Sequence, residues 1–167
     1  TASGTYLIND LLDLEADRQH WTKRSRPFAA GVIGIPEGML ASSGLLAAGF
    51  ALAAIGGGLS VVALLGLYCA VTLSYSLHLK RVPVLDVTIL ASLFTLRLVL
   101  GAAAADVPIS SWLLVFSMFL FLSLALAKRS TEIGRKTAAA PDHGRGYVAA
   151  DAMLVAGLGV SSAGGAI

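Results

Sequence analysis

Residues 44–77 read GLLAAGFALAAIGGGLSVVALLGLYCAVTLSYSL and contain no Asp, Glu, Lys or Arg. Gly56-Gly57-Gly58 divides this stretch, and the helices predicted on either side, at 36–55 and 59–78, are each close to the roughly 20 residues that a helix needs to cross a bilayer. The whole chain is 56% hydrophobic and only 13% charged, whereas a soluble domain carries about 25% charge. The mean hydropathy of +0.80 agrees. Strand-like alternation is absent, so the pattern predicts an all-α, polytopic transmembrane helical bundle.

The other apolar runs extend this pattern over one domain, residues 1–167. We expect residues 1–17 to be the end of one membrane helix and the residues from Tyr147 onward to begin another, so that the bundle is incomplete at both ends. The complete helices are expected at 36–55, 59–78, 84–104 and 112–128. The connections are expected at 18–35, 56–58, 79–83, 105–111 and 129–146.

The Lys and Arg residues alternate between these connections. The first, third and fifth carry all the cations except Arg97, and the second and fourth carry none. Because cytoplasmic loops are enriched in Lys and Arg, the three basic connections are expected on the cytoplasmic side of the inner (plasma) membrane. The members of the three groups are Arg18, Lys23, Arg24 and Arg26; Lys80 and Arg81; and Lys128, Arg129, Arg135, Lys136 and Arg145.

Acidic residues form a stripe just before the first basic connection. Asn9-Asp10 is followed by Asp13 and Asp17, and on a helix these three carboxylates fall within roughly 60° of one another. Carboxylates that crowd one face at the mouth of a membrane helix repel each other unless a cation binds them. Mg²⁺ fits, because it takes oxygen ligands and usually keeps substrate phosphates as partners. The plain alternative is a solvated polar helix end.

Arg97 lies inside a predicted span, eleven residues after Asp86. A charge near the bilayer centre costs about 2.5–3.5 kcal/mol on insertion scales, so it is expected to face a polar interior. Eleven residues bring Arg97 back to the same helix face as Asp86, but about 16 Å deeper, so a direct ion pair between them is not expected. A purely structural pairing of Arg97 is the alternative.

Carboxylates with Mg²⁺ and several Lys and Arg side chains are the groups that hold a diphosphate. Stabilising diphosphate as a leaving group allows a C–O bond to break toward a carbocation-like centre. The membrane location implies a lipid substrate. The sequence therefore predicts group transfer with release of diphosphate, and no nucleic-acid partner.

The same residues resemble the UbiA superfamily of membrane prenyltransferases. Asn9-Asp10-x-x-Asp13-x-x-x-Asp17 with Lys23-Arg24-x-Arg26-Pro27 is similar to the family's first aspartate-rich motif. The resemblance implies that this chain supplies about the second to seventh helices of the family bundle. It implies that Asp10, Asp13 and Asp17 are catalytic residues and Mg²⁺ ligands. The implied substrate-binding residues are Asn9, Lys23, Arg24, Arg26, Tyr75, Lys80, Arg81, Asp86, Arg97, Lys128, Arg129 and Glu132.

The chain departs from the family pattern at 128–132. Typical members carry a second D-x-x-x-D there, and this chain has Lys128-Arg129-Ser130-Thr131-Glu132. The replacement resembles the decaprenyl-phosphate phosphoribosyltransferase branch, which implies 5-phosphoribosyl transfer from phosphoribosyl diphosphate to a polyprenyl phosphate. Two alternatives stay open: an aromatic prenyltransferase that uses a polyprenyl diphosphate, and, more remotely, a membrane transporter with Asp86 and Arg97 along its path.

Overall fold

The computed structural model describes residues 1–19, 21–134, 147 and 149–166. These residues form helices and connecting segments, with no strand among them. The chain divides into two compact units, Thr1–Leu77 and His78–Ile167. Each unit is built from helices that follow one another along the chain, and each has its own candidate site.

The first unit begins with two short helices, α1 (Ala2–Leu12) and α2 (Leu14–Gln19). Asp13 interrupts them, although its N–H still donates to the Asn9 carbonyl (2.9 Å) as in a continuous helix. The helical path therefore extends two residues beyond the expected end at 17. A 3₁₀ turn at Lys23–Ser25 follows.

The long helix α3 (Ile35–Leu77) packs against α1. Their close approach depends on Gly4, where a Cβ atom would come within 3.0 Å of the Ser42 carbonyl oxygen. Gly58 breaks α3 with φ 68° and ψ −169°, a conformation that L side chains rarely adopt. The predicted division of the apolar stretch at the three glycines is thus confirmed.

The N-terminus of α3 follows the rules for a helix start. Pro36 lies in the first turn, where its missing N–H costs nothing. The Glu37 carboxylate accepts a hydrogen bond from the Gly34 N–H (3.1 Å), which satisfies a donor that the helix leaves free. The first connection thus ends as expected.

The second unit contains a 3₁₀ turn at Leu79–Arg81 and the helices α4 (Leu85–Ala104), α5 (Ser111–Gly134) and α6 (Ala152–Gly165). Helix α5 lies between α4 and α6 and packs on both. The core consists of Val87, Leu126, Ile133, Tyr147 and Val155. Because Asp86 on α4 contacts Arg129 on α5, the N-terminus of α4 and the C-terminus of α5 lie at one end of this unit.

Two predicted boundaries in this unit are wrong. Helix α5 continues to Gly134 rather than ending at 128. Ile133 packs in the same core as Leu126, and Arg129 pairs with Glu132 along the helix, so these residues are stabilised as helix. The last helix begins at Ala152 rather than near Tyr147, because Tyr147 is bound to α4 instead. The predicted loop residues 135–146 lie outside the described residues.

Within the described part of the chain, three helices, α3, α4 and α5, are long and apolar enough to cross a membrane. Their large apolar side chains are widely exposed: Ile55 is 84% exposed, Leu59 85% and Trp112 83%. Such a surface is unfavourable in water and is typical of helices that face lipid. The expected membrane helical bundle agrees with this surface.

Candidate functional site

The acidic stripe of the first unit is bound by one arginine. Nη1 of Arg26 donates to Oδ1 of Asp10 (3.0 Å) and to Oδ2 of Asp17 (2.7 Å). Asp17 is the most enclosed of the three, with 4% of its side chain exposed, against 32% for Asp10 and 39% for Arg26. The Lys23 ammonium lies 3.7 Å from the other Asp17 oxygen. The seven-residue spacing on the helix therefore brings Asp10 and Asp17 to one cationic group.

The other residues of this motif are Asn9, Asp13 and Arg24. Asp13 is partly buried at the turn between α1 and α2, and Asn9 is partly buried one helical turn before it. Arg24 is exposed on the 3₁₀ turn that also carries Lys23. The structure thus brings together Asp10, Asp17, Lys23 and Arg26 from the predicted set.

The carboxylate oxygens of Asp10 and Asp17 are of the kind that Mg²⁺ prefers, but in this structure they are arranged around Arg26. Within the described part of the chain, no three Asp, Glu, His or Cys side chains are grouped closely enough to hold a metal ion. Two carboxylate oxygens nevertheless lie within 3.0 Å of one point, the Arg26 Nη1 atom. Oxygen donors that are few in number fit Mg²⁺, which is usually bound by one or two carboxylates, water and substrate phosphates. Asp10 and Asp17 are the residues that would hold it.

The second unit contains a buried polar network around Asp86, which is fully buried. Nη2 of Arg129 donates to Asp86 Oδ2 (2.6 Å), and the Tyr147 hydroxyl donates to Asp86 Oδ1 (2.6 Å). The Val87 N–H also donates to Oδ1 (2.8 Å). The buried carboxylate is thus neutralised by one guanidinium and satisfied by two further donors, as a buried charge requires.

Tyr147 also stabilises the start of α4. Its hydroxyl accepts a hydrogen bond from the Val84 N–H (2.7 Å). Val84 has φ 65°, an unfavourable value for a β-branched residue that surrounding contacts must hold. Burial, and next the hydrogen bond to Asp86, raise the pKa of Tyr147 to about 12. The phenol therefore remains a neutral donor at physiological pH.

Arg129 is committed to this network. Its Nη1 donates to the Glu132 carboxylate one turn along α5, and its guanidinium lies 5.5 Å from the centre of the Tyr147 ring, within the range of a cation–π contact. Only its Nε is buried without a hydrogen-bond partner among the described residues. The neighbouring Lys128 is exposed. Of the two predicted phosphate ligands on α5, one is enclosed and one is accessible.

The structure also describes the remaining predicted residues, which lie on α3, on the 3₁₀ turn after it and on α4. Tyr75 and Lys80 are partly buried and Arg81 is exposed, near the C-terminus of α3 and on the 3₁₀ turn after it. Arg97 is partly buried on α4, with its guanidinium 5.0 Å from the centre of the Phe94 ring. Phe94 in turn stacks on Phe121 of α5, with ring centres 4.9 Å apart. Asp86 is paired with Arg129 and not with Arg97, as expected.

Comparison with known proteins identifies the family. The sequence matches the family model described as UbiA prenyltransferase over residues 1–164. The chain belongs to the UbiA prenyltransferase family. Members of this family are membrane helical bundles, in agreement with the helices seen here.

Several relatives have the same phosphoribosyltransferase name. The decaprenyl-phosphate phosphoribosyltransferase of Mycolicibacterium smegmatis is 44% identical over 79% of this chain and 41% of its own length. The protein of that name from Corynebacterium glutamicum is 40% identical over 79% of this chain and 40% of its own length. Nodulation protein NoeC of Azorhizobium caulinodans is 38% identical over 96% of this chain and 53% of its own length. The chain thus spans about half the length of these relatives, or less.

Tyr147 belongs to the buried network around Asp86, but the sequence alone does not identify it as a member. The sequence predicts only that the last helix begins near Tyr147. Its partners Asp86 and Val84 are more than sixty residues away in the sequence, so no local spacing connects them. The available signal was an aromatic residue with a hydroxyl next to an apolar run, since such a residue needs a hydrogen-bond partner when it is buried.

Proposed function

We propose that the protein transfers a 5-phosphoribosyl group from phosphoribosyl diphosphate to a polyprenyl phosphate and releases diphosphate, with Mg²⁺ as cofactor. The decaprenyl-phosphate phosphoribosyltransferases at 40% and 44% identity support this choice within the UbiA family. We also propose that the protein spans the inner (plasma) membrane several times and that its active site faces the cytoplasm. The distribution of Lys and Arg supports that orientation.

The observation that favours this reaction over aromatic prenyl transfer is the state of Glu132. In the position where typical family members are expected to carry a second acidic pair, this chain has one acid, and Arg129 binds its carboxylate. Arg129 is enclosed and is itself held by Asp86, so its guanidinium stays on Glu132 and this carboxylate offers little to a second diphosphate-bridging metal. A site with one acidic stripe and surplus cations suits substrates that carry an additional phosphate.

The first unit is proposed to bind the diphosphate of the sugar donor. The carboxylates of Asp10 and Asp17 would hold the Mg²⁺ ion, and Asp13 and Asn9 are proposed to support them. When bound, the ion neutralises charge that develops on the departing diphosphate. Lys23, Arg24 and Arg26 donate to the remaining phosphate oxygens.

The chemical step itself asks little of the protein beyond orientation. An oxygen of the polyprenyl phosphate forms a bond to the anomeric carbon while the bond from that carbon to the diphosphate oxygen breaks. The acceptor is already anionic, so no general base has to remove a proton. Lys80, Arg81 and Lys128 are proposed to hold its phosphate, and Tyr75 and Arg97 to line the polar interior.

The buried network of the second unit is proposed to position these cations. Asp86 and Tyr147 hold Arg129, and with it the last turns of α5 that present Lys128 to solvent. In this role Asp86, Arg129 and Glu132 act indirectly, by fixing the positions of the N-terminus of α4 and the C-terminus of α5.

The test uses the full-length protein in lipid nanodiscs. Phosphoribosyl diphosphate labelled in the sugar is offered with polyprenyl phosphate and Mg²⁺, and label is measured in the extracted lipid. We expect label in the lipid and an equal amount of diphosphate in solution. A parallel reaction contains a polyprenyl diphosphate and an aromatic acid. Prenylation of the aromatic acid without labelling of the polyprenyl phosphate would favour the alternative activity and contradict the proposal.

A further inference from the structure

Arg26 occupies the point between the two carboxylates that are proposed to hold the metal. One nitrogen of its guanidinium contacts both Asp10 and Asp17, at 3.0 and 2.7 Å. Mg²⁺ binds oxygen ligands at about 2.0–2.1 Å. An ion that uses the same two oxygens needs the same place, so the guanidinium and the ion exclude each other there.

The contact is needed while no metal is bound. Asp17 has 4% of its side chain exposed, and an enclosed carboxylate without a counter-charge is strongly unfavourable. Lys23 is 3.7 Å from Asp17, beyond normal hydrogen-bond distance. Arg26 is therefore the group that neutralises the acidic pair directly.

Backbone hydrogen bonding and the packing of Phe28 fix the segment around Arg26, whereas the Arg26 side chain is partly exposed. Its backbone N–H donates to the Lys23 carbonyl (2.9 Å), and its backbone is extended before Pro27. Two residues later, the buried Phe28 ring lies so close to Gly38 of α3 that a Cβ atom there would come within 2.4 Å of it. The Arg26 side chain itself is 39% exposed. Its guanidinium can thus change partners by rotation of the side chain alone.

We propose that Arg26 is an exchangeable counter-ion of the acidic stripe. It neutralises Asp10 and Asp17 in the absence of a divalent cation, and it leaves them when the cation arrives with a diphosphate. The released guanidinium then donates to the diphosphate, for which its planar donor pair is suited. This inference rests on the proposed diphosphate chemistry of the site, and it holds whether the donor carries a sugar or a prenyl group.

The exchange predicts that metal and diphosphate favour each other's binding. A divalent cation alone must displace Arg26 without offering it a new partner, whereas a cation with diphosphate supplies one. Binding of each therefore strengthens binding of the other, as linkage requires. Removing the guanidinium relieves the competition, so the cation alone binds more tightly.

The test measures Mn²⁺ binding to the full-length protein in detergent by electron paramagnetic resonance of the free ion, without any diphosphate. We expect Arg26→Gln to bind Mn²⁺ more tightly than the wild type, on the order of tenfold. The matched control is Arg18→Gln, which removes the same charge from the exposed end of α2. We also expect Arg26→Gln to unfold at a lower temperature without Mn²⁺ and to regain stability when Mn²⁺ is added.

The outcomes separate this inference from the proposed function. Equal or weaker Mn²⁺ binding by Arg26→Gln, relative to Arg18→Gln, overturns the exchange but leaves the metal site intact if Asp17→Asn abolishes binding. Absence of Mn²⁺ binding in every variant overturns both. Should Arg26→Gln not fold, Arg26→Met keeps the apolar stem of the side chain and removes the competing charge. Its Mn²⁺ affinity must then exceed that of the wild type, or the exchange is refuted.

Discussion

The Tyr147 hydroxyl donates a 2.6 Å hydrogen bond to the fully buried carboxylate of Asp86. The same hydroxyl accepts from the Val84 N–H, so one side chain ties the segment before α6 to the start of α4. Arg129 completes the network from α5. Two helices of the second unit, α4 and α5, and the residue Tyr147 before α6 are thus joined at one buried acid.

Removing the Tyr147 hydroxyl leaves the buried Asp86 carboxylate and the partly buried Val84 N–H each one partner short. We expect Tyr147→Phe to destabilise the protein by about 1–3 kcal/mol, measured by thermal unfolding in detergent. Ser43→Ala is the control, because it also removes a hydroxyl, from an exposed position of α3. Equal losses for both variants would argue against the network.

Because the pKa of Tyr147 is higher in the folded than in the unfolded protein, the free energy of unfolding depends on pH in the alkaline range. The folded protein keeps the phenol proton up to about pH 12, while the unfolded chain loses it near its ordinary value of 10.0. The contribution is therefore complete below about pH 10 and is lost as the pH rises toward about 12. Denaturation at several pH values should show this fall in the wild type and a smaller one in Tyr147→Phe. An identical pH profile would refute the assignment.

Breaking the Asp86–Arg129 pair leaves an enclosed carboxylate without a counter-charge. We expect Arg129→Met to cost about 3–5 kcal/mol in unfolding free energy. The exposed neighbour supplies the control, since Lys128→Met removes the same charge with little effect on stability. The double variant Asp86→Leu/Arg129→Met should recover part of the loss, because neither buried charge remains. A double variant less stable than Arg129→Met would contradict this account.

The acidic stripe is expected to control Mg²⁺-dependent turnover. Asp10→Asn and Asp17→Asn keep the side-chain size but remove the charge, and each should lower kcat by at least about a hundredfold. Glu15→Gln is the control, because Glu15 is exposed and outside the stripe. The amount of folded protein is measured alongside by size-exclusion chromatography. Near-normal turnover of a well-folded Asp17→Asn variant would exclude a metal role for Asp17.

The orientation of the second unit can be tested with single cysteines after Cys69, the only native one, is replaced. Thr131→Cys lies in the exposed last turns of α5, and Ser110→Cys lies exposed before its start. Impermeant reagents should label position 131 from the cytoplasm and position 110 from outside, because the basic segments are expected inside. Labelling of both positions from one side would refute the proposed topology.

The sequence by itself was sufficient for the fold class and for the acidic stripe. Apolar runs of bilayer length, separated by glycines, prolines and clustered charges, predict membrane helices because the bilayer leaves the backbone no other way to satisfy its hydrogen bonds. The spacing of Asp10 and Asp17 places both on one helix face, and the structure brings them to one partner. Local periodicity determines both features.

Only the tertiary structure decided which charges pair. The sequence treated Arg26 and Arg129 alike as phosphate ligands, yet Arg26 bridges two carboxylates at a partly exposed position and Arg129 is enclosed by Asp86, Glu132 and Tyr147. It also predicted that α5 ends at 128, because a run of polar residues resembles a loop. Burial and long-range pairing turned that run into helix, since the free energy of a buried charge depends on partners that are distant in sequence.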